Sequence, residues 1–153
     1  MKQSFFILLT LMSVLVSSAT SCNKEDDIII ENNNPMANGK IKITVNSQTF
    51  TATFLNNNSA KAFKEMLPLT INMTDLNGNE KYYDFPNNLP TNSSNPGAIK
   101  NGDLMLYGLK TVVLFYQSFS TSYSYTKLGS VDDVTGLATA LGSGNTTVTF
   151  ELE

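Results

Sequence analysis

Tyr123 and Tyr125 stand two residues apart in a run of hydroxyl residues, Ser118, Ser120, Thr121, Ser122 and Ser124, with Phe119 near its head. A tyrosine ring offers wide apolar contact and a polar tip. Neighbouring serines adapt their hydrogen bonds, and the combination is favoured in binding loops. At strand spacing both rings point to one side. The segment therefore reads as a ligand-contacting loop or as a covering strand. Glu80 and Tyr82 share the same spacing, so on a strand they line one face, as pocket residues or as exposed cross-strand partners. Tyr116, just before the hydroxyl-rich run, joins them as a candidate ligand-binding residue.

The absences narrow the chemistry further. The chain has no His and no Trp, all ten basic residues are lysines, and the one cysteine is Cys22. That excludes a Ser-His-Asp triad, a Cys-His dyad, His or Cys zinc sites and an arginine clamp on phosphate. Acid–base work at neutral pH is left to carboxylates, lysines or tyrosines with displaced pKa values. A formal net charge of -3 with no basic cluster gives no footing on nucleic acid. No catalytic set, metal set or cofactor site is assigned.

Other clusters read as structure. Asp75-Leu76-Asn77-Gly78-Asn79-Glu80 superficially resembles a calcium loop, but its glycine comes too early for an EF-hand and a strand follows. Asn77-Gly78 is a hairpin dipeptide. Gly102-Asp103 reads as the tight entry to a strand and Asp132-Asp133 as a helix cap. Gly142-Ser143-Gly144-Asn145 precedes a strand and lacks the helix N-terminus that makes a phosphate loop effective.

Cys22 reports location. Lys2 and the apolar run from Phe5 to Val16 form a signal-peptide pattern too short for a spanning helix. Ala19-Thr20-Ser21-Cys22 resembles a bacterial lipobox, with Ala19 in place of the usual leucine. It implies cleavage before Cys22 and acylation of that residue; the alternative is a leftover thiol beside an ordinary cleavage site. Asn23-Lys24-Glu25-Asp26-Asp27 resembles the export signal of some surface lipoproteins, or forms an acidic tether. The expected organisation is a leader over 1–21, a lipidated Cys22 and tether over 22–39, and one domain over 40–153. The expected location is the cell envelope, as an outer-membrane lipoprotein held to the membrane through Cys22 and exposed at the surface, with the periplasmic face as the alternative.

The elements that must position the tyrosines are mostly strands. Ile41, Ile43 and Val45, then Phe50, Ala52 and Phe54, alternate with polar residues around a turn at Asn46-Ser47-Gln48. Leu69, Ile71 and Met73, and Val148, Phe150 and Leu152, repeat the period. Leu104 to Tyr107 and Thr111 to Tyr116 form a hairpin whose second arm, Val112 to Phe115, is apolar without alternation and so buried on both faces. Two short helices interrupt the strands. Asn58 or Ser59 caps the first, which places Ala60, Phe63 and Leu67 on one face and ends at Pro68. Asp132 or Asp133 caps the second, which carries Val134, Leu137, Ala138 and Leu141 and ends at Gly142. The Ile28-Ile29-Ile30 stretch has no evident role in the tether, unless it adds a strand to a sheet edge. The fold class expected from the pattern is mainly β, a barrel closed by two helices.

A set of segments carries a resemblance. Met66-Leu67-Pro68-Leu69 precedes a strand and Gly78-Asn79-Glu80-Lys81-Tyr82-Tyr83 opens another. Gly102 to Tyr107 leads into Val113 to Tyr116, followed by Thr121 to Thr126 and Leu128-Gly129. Together they resemble the small secreted or lipid-anchored branch of the bacterial cyclophilin-like family, across nearly all of Lys40 to Glu153. The resemblance implies a closed barrel of about eight strands. True cyclophilins polarise the prolyl amide with an arginine, which this chain lacks. The aromatic–hydroxyl cluster in a domain without the common catalytic groups is the basis for reading the barrel as a non-catalytic module binding a small molecule, a peptide or another envelope protein. The alternatives are a residual prolyl isomerase with Lys127 or a tyrosine hydroxyl as substitute donor, or a structural surface subunit.

Overall fold

The computed structural model describes residues 39–153. The leader, Cys22, the tether up to residue 38 and Ile28 to Ile30 lie outside the described residues. Eight antiparallel strands close into one barrel, in the spatial order β1(Lys40–Val45), β10(Thr146–Leu152), β3(Leu69–Leu76), β4(Glu80–Asp84), β7(Thr111–Phe115), β6(Asp103–Tyr107), β9(Tyr125–Val131), β2(Gln48–Phe54) and back to β1. A separate two-stranded ribbon pairs β5(Ala98–Ile99) with β8(Phe119–Ser120). The two helices are α1(Asn58–Lys64) and α2(Leu137–Leu141). The fold is the mainly β, eight-stranded barrel with two short helices that the strand periodicity and the resemblance imply.

Period-two alternation explains the closure, since side chains in a barrel point alternately inward and outward. Ile43 faces Phe50 on one side and Phe150 on the other, and Val148 faces Ile71. The register carries the same inward row through Leu104, Leu106, Val112 and Leu114. At Leu104 and Met105 the β6–β9 register shifts, because Leu104 pairs with Gly129 but Met105 with Lys127. The extra residue, Leu128, is fully buried, so the bulge adds an inward side chain where the strand turns. Gly129 is required beside it: a Cβ there would sit 2.4 Å from the Thr53 carbonyl oxygen and 2.9 Å from Phe54 Cα.

A helix closes each end. At one end Phe63 of α1 is fully buried against the rings of Phe150, Phe54 and Phe85, at centroid distances of 5.4, 5.5 and 6.0 Å. Burying such a ring stabilises the fold by about 2–3 kcal/mol. The cap of α1 is Asn57, not Asn58 or Ser59. Its Oδ1 accepts the Ala60 N–H at 2.8 Å and its Nδ2 donates to the Lys127 carbonyl at 2.9 Å. Asn57 has the extended backbone a cap requires (φ -134°), whereas Asn58 is already helical and Ser59 is spent on the Pro90 carbonyl.

At the other end α2 buries Leu137, Ala140 and Leu141. Neither Asp132 nor Asp133 caps it. Gly136, in the left-handed region at φ 82°, precedes the helix and breaks its continuity with the aspartates. Asp132 instead accepts from the Thr53 hydroxyl and Lys40, and Asp133 accepts the Thr135 N–H. Lys81, on the inward face of β4 and fully buried, ties this end together. Its ammonium donates to Asp75 Oδ1 (2.6 Å) and to the carbonyls of Gly142 (2.8 Å) and Gly144 (2.6 Å). The Gly142 to Asn145 turn thus holds a lysine, through two carbonyls that its left-handed glycines aim inward.

Candidate ligand groove

The outward row of β6 and β7 is also buried. Met105, Val113 and Phe115 lie under Ile99 of the ribbon, Phe119 and Tyr125. This is the two-faced burial that the unbroken apolar run Val112 to Phe115 implies. Ser94 holds the covering segment down, exchanging backbone hydrogen bonds with Tyr125 at 3.0 Å in each direction. Where the cover stops, a groove of about 440 Å³ opens on the outer wall of the barrel. It runs along β4 from the β3–β4 turn to Asp84. One wall is Leu76, Asn79 and Glu80, the floor is Tyr82 and Val113, and the opposite wall is Tyr107, Tyr123, Tyr125 and Phe119.

The structure brings Glu80, Tyr82, Phe119, Tyr123 and Tyr125 into this one groove and leaves Tyr116, Ser120 and Thr121 out of it. Tyr116 continues the inward row of β7. Its hydroxyl donates to Asp75 Oδ1 at 2.6 Å and its ring lies 5.2 Å from the Lys81 ammonium. Burial and the Asp75 carboxylate push the Tyr116 phenol up to about 12. The Lys81 and Tyr116 hydrogen bonds hold the Asp75 carboxyl below its ordinary value. Ser120 is an exposed ribbon residue paired with Ala98, and Thr121 is fixed by a turn in which its hydroxyl accepts the Tyr123 N–H. Lys127 reaches away from the groove to Asp103, at 2.7 Å, beside a separate polar depression next to Asn57. Asp75 to Glu80 forms the hairpin turn, with φ of 56° at Asn77 and 67° at Gly78.

Tyr107 and Asp84 are groove residues that sequence reasoning missed. Asp84 lies two residues beyond Tyr82, so the alternation that pairs Glu80 with Tyr82 extends to it. Tyr107 is set by register, because it stands opposite Tyr125 in the β6–β9 ladder. Its ring meets Tyr125 at 5.5 Å and Tyr123 at 6.1 Å, the latter pair nearly perpendicular at 87°. Phe115 and Phe119 extend the aromatic chain beyond Tyr125. Tyr125 is 7% exposed and anchors this cluster, whereas Tyr123 is 61% exposed and projects from it.

The electrostatics of the groove are one-sided. Asp84 accepts the Thr111 hydroxyl. The Glu80 side chain has no hydrogen bond or ion pair among the described residues, and partial burial raises its carboxyl above the ordinary value. Burial and the Glu80 charge also raise the Tyr125 phenol. Among the described residues no group of three or more His, Cys, Asp or Glu side chains gathers as a metal set.

Comparison with known proteins agrees with the architecture. A family model described as the cyclophilin-like family matches residues 43–151. No curated protein matches significantly. Among solved structures, the chain is similar to the solution structure of a hypothetical protein from Archaeoglobus fulgidus, with a TM-score of 0.56 at 15% identity. The superposition covers 76% of this chain and 95% of that one.

Proposed function

The chain belongs to the cyclophilin-like family, and on that premise we propose that its barrel is a non-catalytic binding module, tethered to the cell envelope through an acylated Cys22, with its ligand in the outer-wall groove. One observation carries the reading. Of the five large hydrophobic residues exposed among the described residues, Leu76, Tyr107 and Tyr123 line this groove. Exposed apolar groups scattered singly need no explanation, but a cluster in a concave site rimmed by polar groups marks an interaction surface. The volume is in the range of small-molecule sites. The chemistry of the walls supports binding rather than turnover: they supply rings and carboxylates, and the chain has no imidazole or guanidinium to add.

The test is amide chemical-shift mapping with four soluble probes at millimolar concentration: benzyl alcohol, benzoate, methyl glucoside and choline. At least one probe moves signals of Leu76 to Tyr82 together with Tyr123 to Tyr125, and Tyr123→Ala weakens that binding about fivefold or more. If no probe moves those signals, the groove is not a ligand site. Turnover of a proline peptide that is lost in a groove variant would replace the binding reading with an isomerase. For the anchor, incorporation of labelled fatty acid that is lost in Cys22→Ser is the expected result. An unmodified Cys22 would remove the envelope tether.

A further inference from the structure

The groove carries its own indication of ligand charge. Its acidic lining is two carboxylates, Glu80 and Asp84, on the outward face of β4 either side of Tyr82, and no lysine lines it. Four other carboxylates are in ion pairs: Asp75 with Lys81, Asp103 with Lys127, Asp132 with Lys40 and Glu151 with Lys42. Glu80 stands without such a partner among the described residues, in the more enclosed setting of the groove. Asn79 lines the same wall, and its buried side-chain oxygen has no hydrogen bond among the described residues. Both neighbours can accept a hydrogen bond, and no cationic donor lines the groove beside them.

The opposite wall fits the same ligand. The near-perpendicular rings of Tyr107 and Tyr123, with Tyr125 tilted against Tyr107, form an aromatic corner. Ring faces carry negative potential, and corners of this kind hold alkylated ammonium groups through cation–π attraction. Resting on the reading of the groove as a ligand site, we propose that its ligand is a small organic ammonium ion. The cationic nitrogen sits in the Tyr107–Tyr123–Tyr125 corner with Glu80 as counter-ion, and the carbon skeleton lies on Val113 and Leu76. An anion would face two carboxylates and the ring faces. A flat neutral ligand would leave Glu80 poorly hydrated and unpaired. A hard metal dication needs a fuller shell of oxygen ligands than one unsupported carboxylate beside aromatic rings.

The experiment compares choline with 3,3-dimethylbutan-1-ol, which has the same shape without the charge. Both are titrated against the purified protein by amide chemical shifts. Choline saturates the groove signals in the millimolar range and the neutral alcohol binds at least fivefold more weakly. Glu80→Gln weakens choline about tenfold and leaves the alcohol unchanged, and choline binding strengthens as pH rises through the titration of Glu80. Equal binding of the two probes, or choline binding insensitive to Glu80→Gln, overturns the ammonium assignment. Binding of benzyl alcohol or methyl glucoside without choline also overturns it, while leaving the groove a ligand site. If none of the probes binds, both readings fall together.

Discussion

Replacing Lys81 with Met isolates the network that closes the α2 end of the barrel. The three ammonium hydrogens of Lys81 meet three acceptors, so the buried cation is fully satisfied. Methionine fills similar volume but leaves the Asp75 carboxylate and two carbonyls without their donor. Breaking a buried pair by removing one partner costs about 3–5 kcal/mol. Asp75 keeps the Tyr116 hydroxyl and its side chain is 22% exposed, so water recovers part of the loss. The expected destabilisation is therefore near the lower bound, about 3 kcal/mol. With an unfolding entropy of about 2.1 cal/mol/K per residue over about 115 residues, that lowers Tm by about 12 °C.

Urea unfolding and calorimetry at pH 7 measure this loss, and Asp75→Asn completes a double-mutant cycle. The cycle should show coupling of at least about 1 kcal/mol. The same pair predicts an acid limb. Hydrogen bonds from Lys81 first, then Tyr116, hold Asp75 below its ordinary 3.8. Its contribution is then fully present above that value and disappears as pH falls through the depressed native one. Lys81→Met should flatten this part of the profile. A loss under about 1 kcal/mol, or additive single variants, would refute the view that an ionic network rather than apolar packing holds this end together.

Three further outcomes follow from particular contacts. Gly129→Ala forces a Cβ into the Thr53 and Phe54 backbone, so it should cost about 1–3 kcal/mol or more in urea unfolding; a neutral result would mean that β2 and β9 separate easily. Asn57→Ala should cost about 1 kcal/mol while Asn58→Ala leaves stability nearly unchanged, which thermal unfolding of the two variants distinguishes. Glu80→Gln should raise the urea midpoint at pH 7 but not at pH 4. Burial lifts the native carboxyl above 4.5, so the unfolded chain loses its proton first, and the native state is penalised as pH rises through that window. An unchanged or lower midpoint at pH 7 would contradict this.

The barrel was legible because its signal is local and repeated. Ile41-Ile43-Val45 and Phe50-Ala52-Phe54 state an inward face by alternation alone, and Asn77-Gly78 states a turn by its backbone freedom. The helix starts were harder. Asn57, Asn58 and Ser59 are all good caps, and only the backbone angles decide which one is outside the helix. At the second helix the Gly136 break outweighs the capping propensity of two aspartates: Asp132 finds partners on β1 and β2, and Asp133 takes the Thr135 N–H. The burial of Lys81 left no sequence trace, because its acceptors come from residues 6, 61 and 63 positions away.

The groove was half legible for the same reason. Glu80 and Tyr82, or Tyr123 and Tyr125, declare a shared side through spacing of two. Tyr116 also sits in an alternating row, but in β7 both faces are buried, so its apolar neighbours do not say which side is the interior. It points to the barrel end, while the missed Tyr107 points to the groove because the β6–β9 ladder sets it opposite Tyr125. Register across strands is a long-range property, and the Leu128 bulge resets it once more. What the sequence does not spell out, the energetics of Glu80 supply. A partly buried carboxylate without a partner destabilises the fold that carries it. A side chain whose removal strengthens the protein and weakens its ligand is placed for binding rather than for folding.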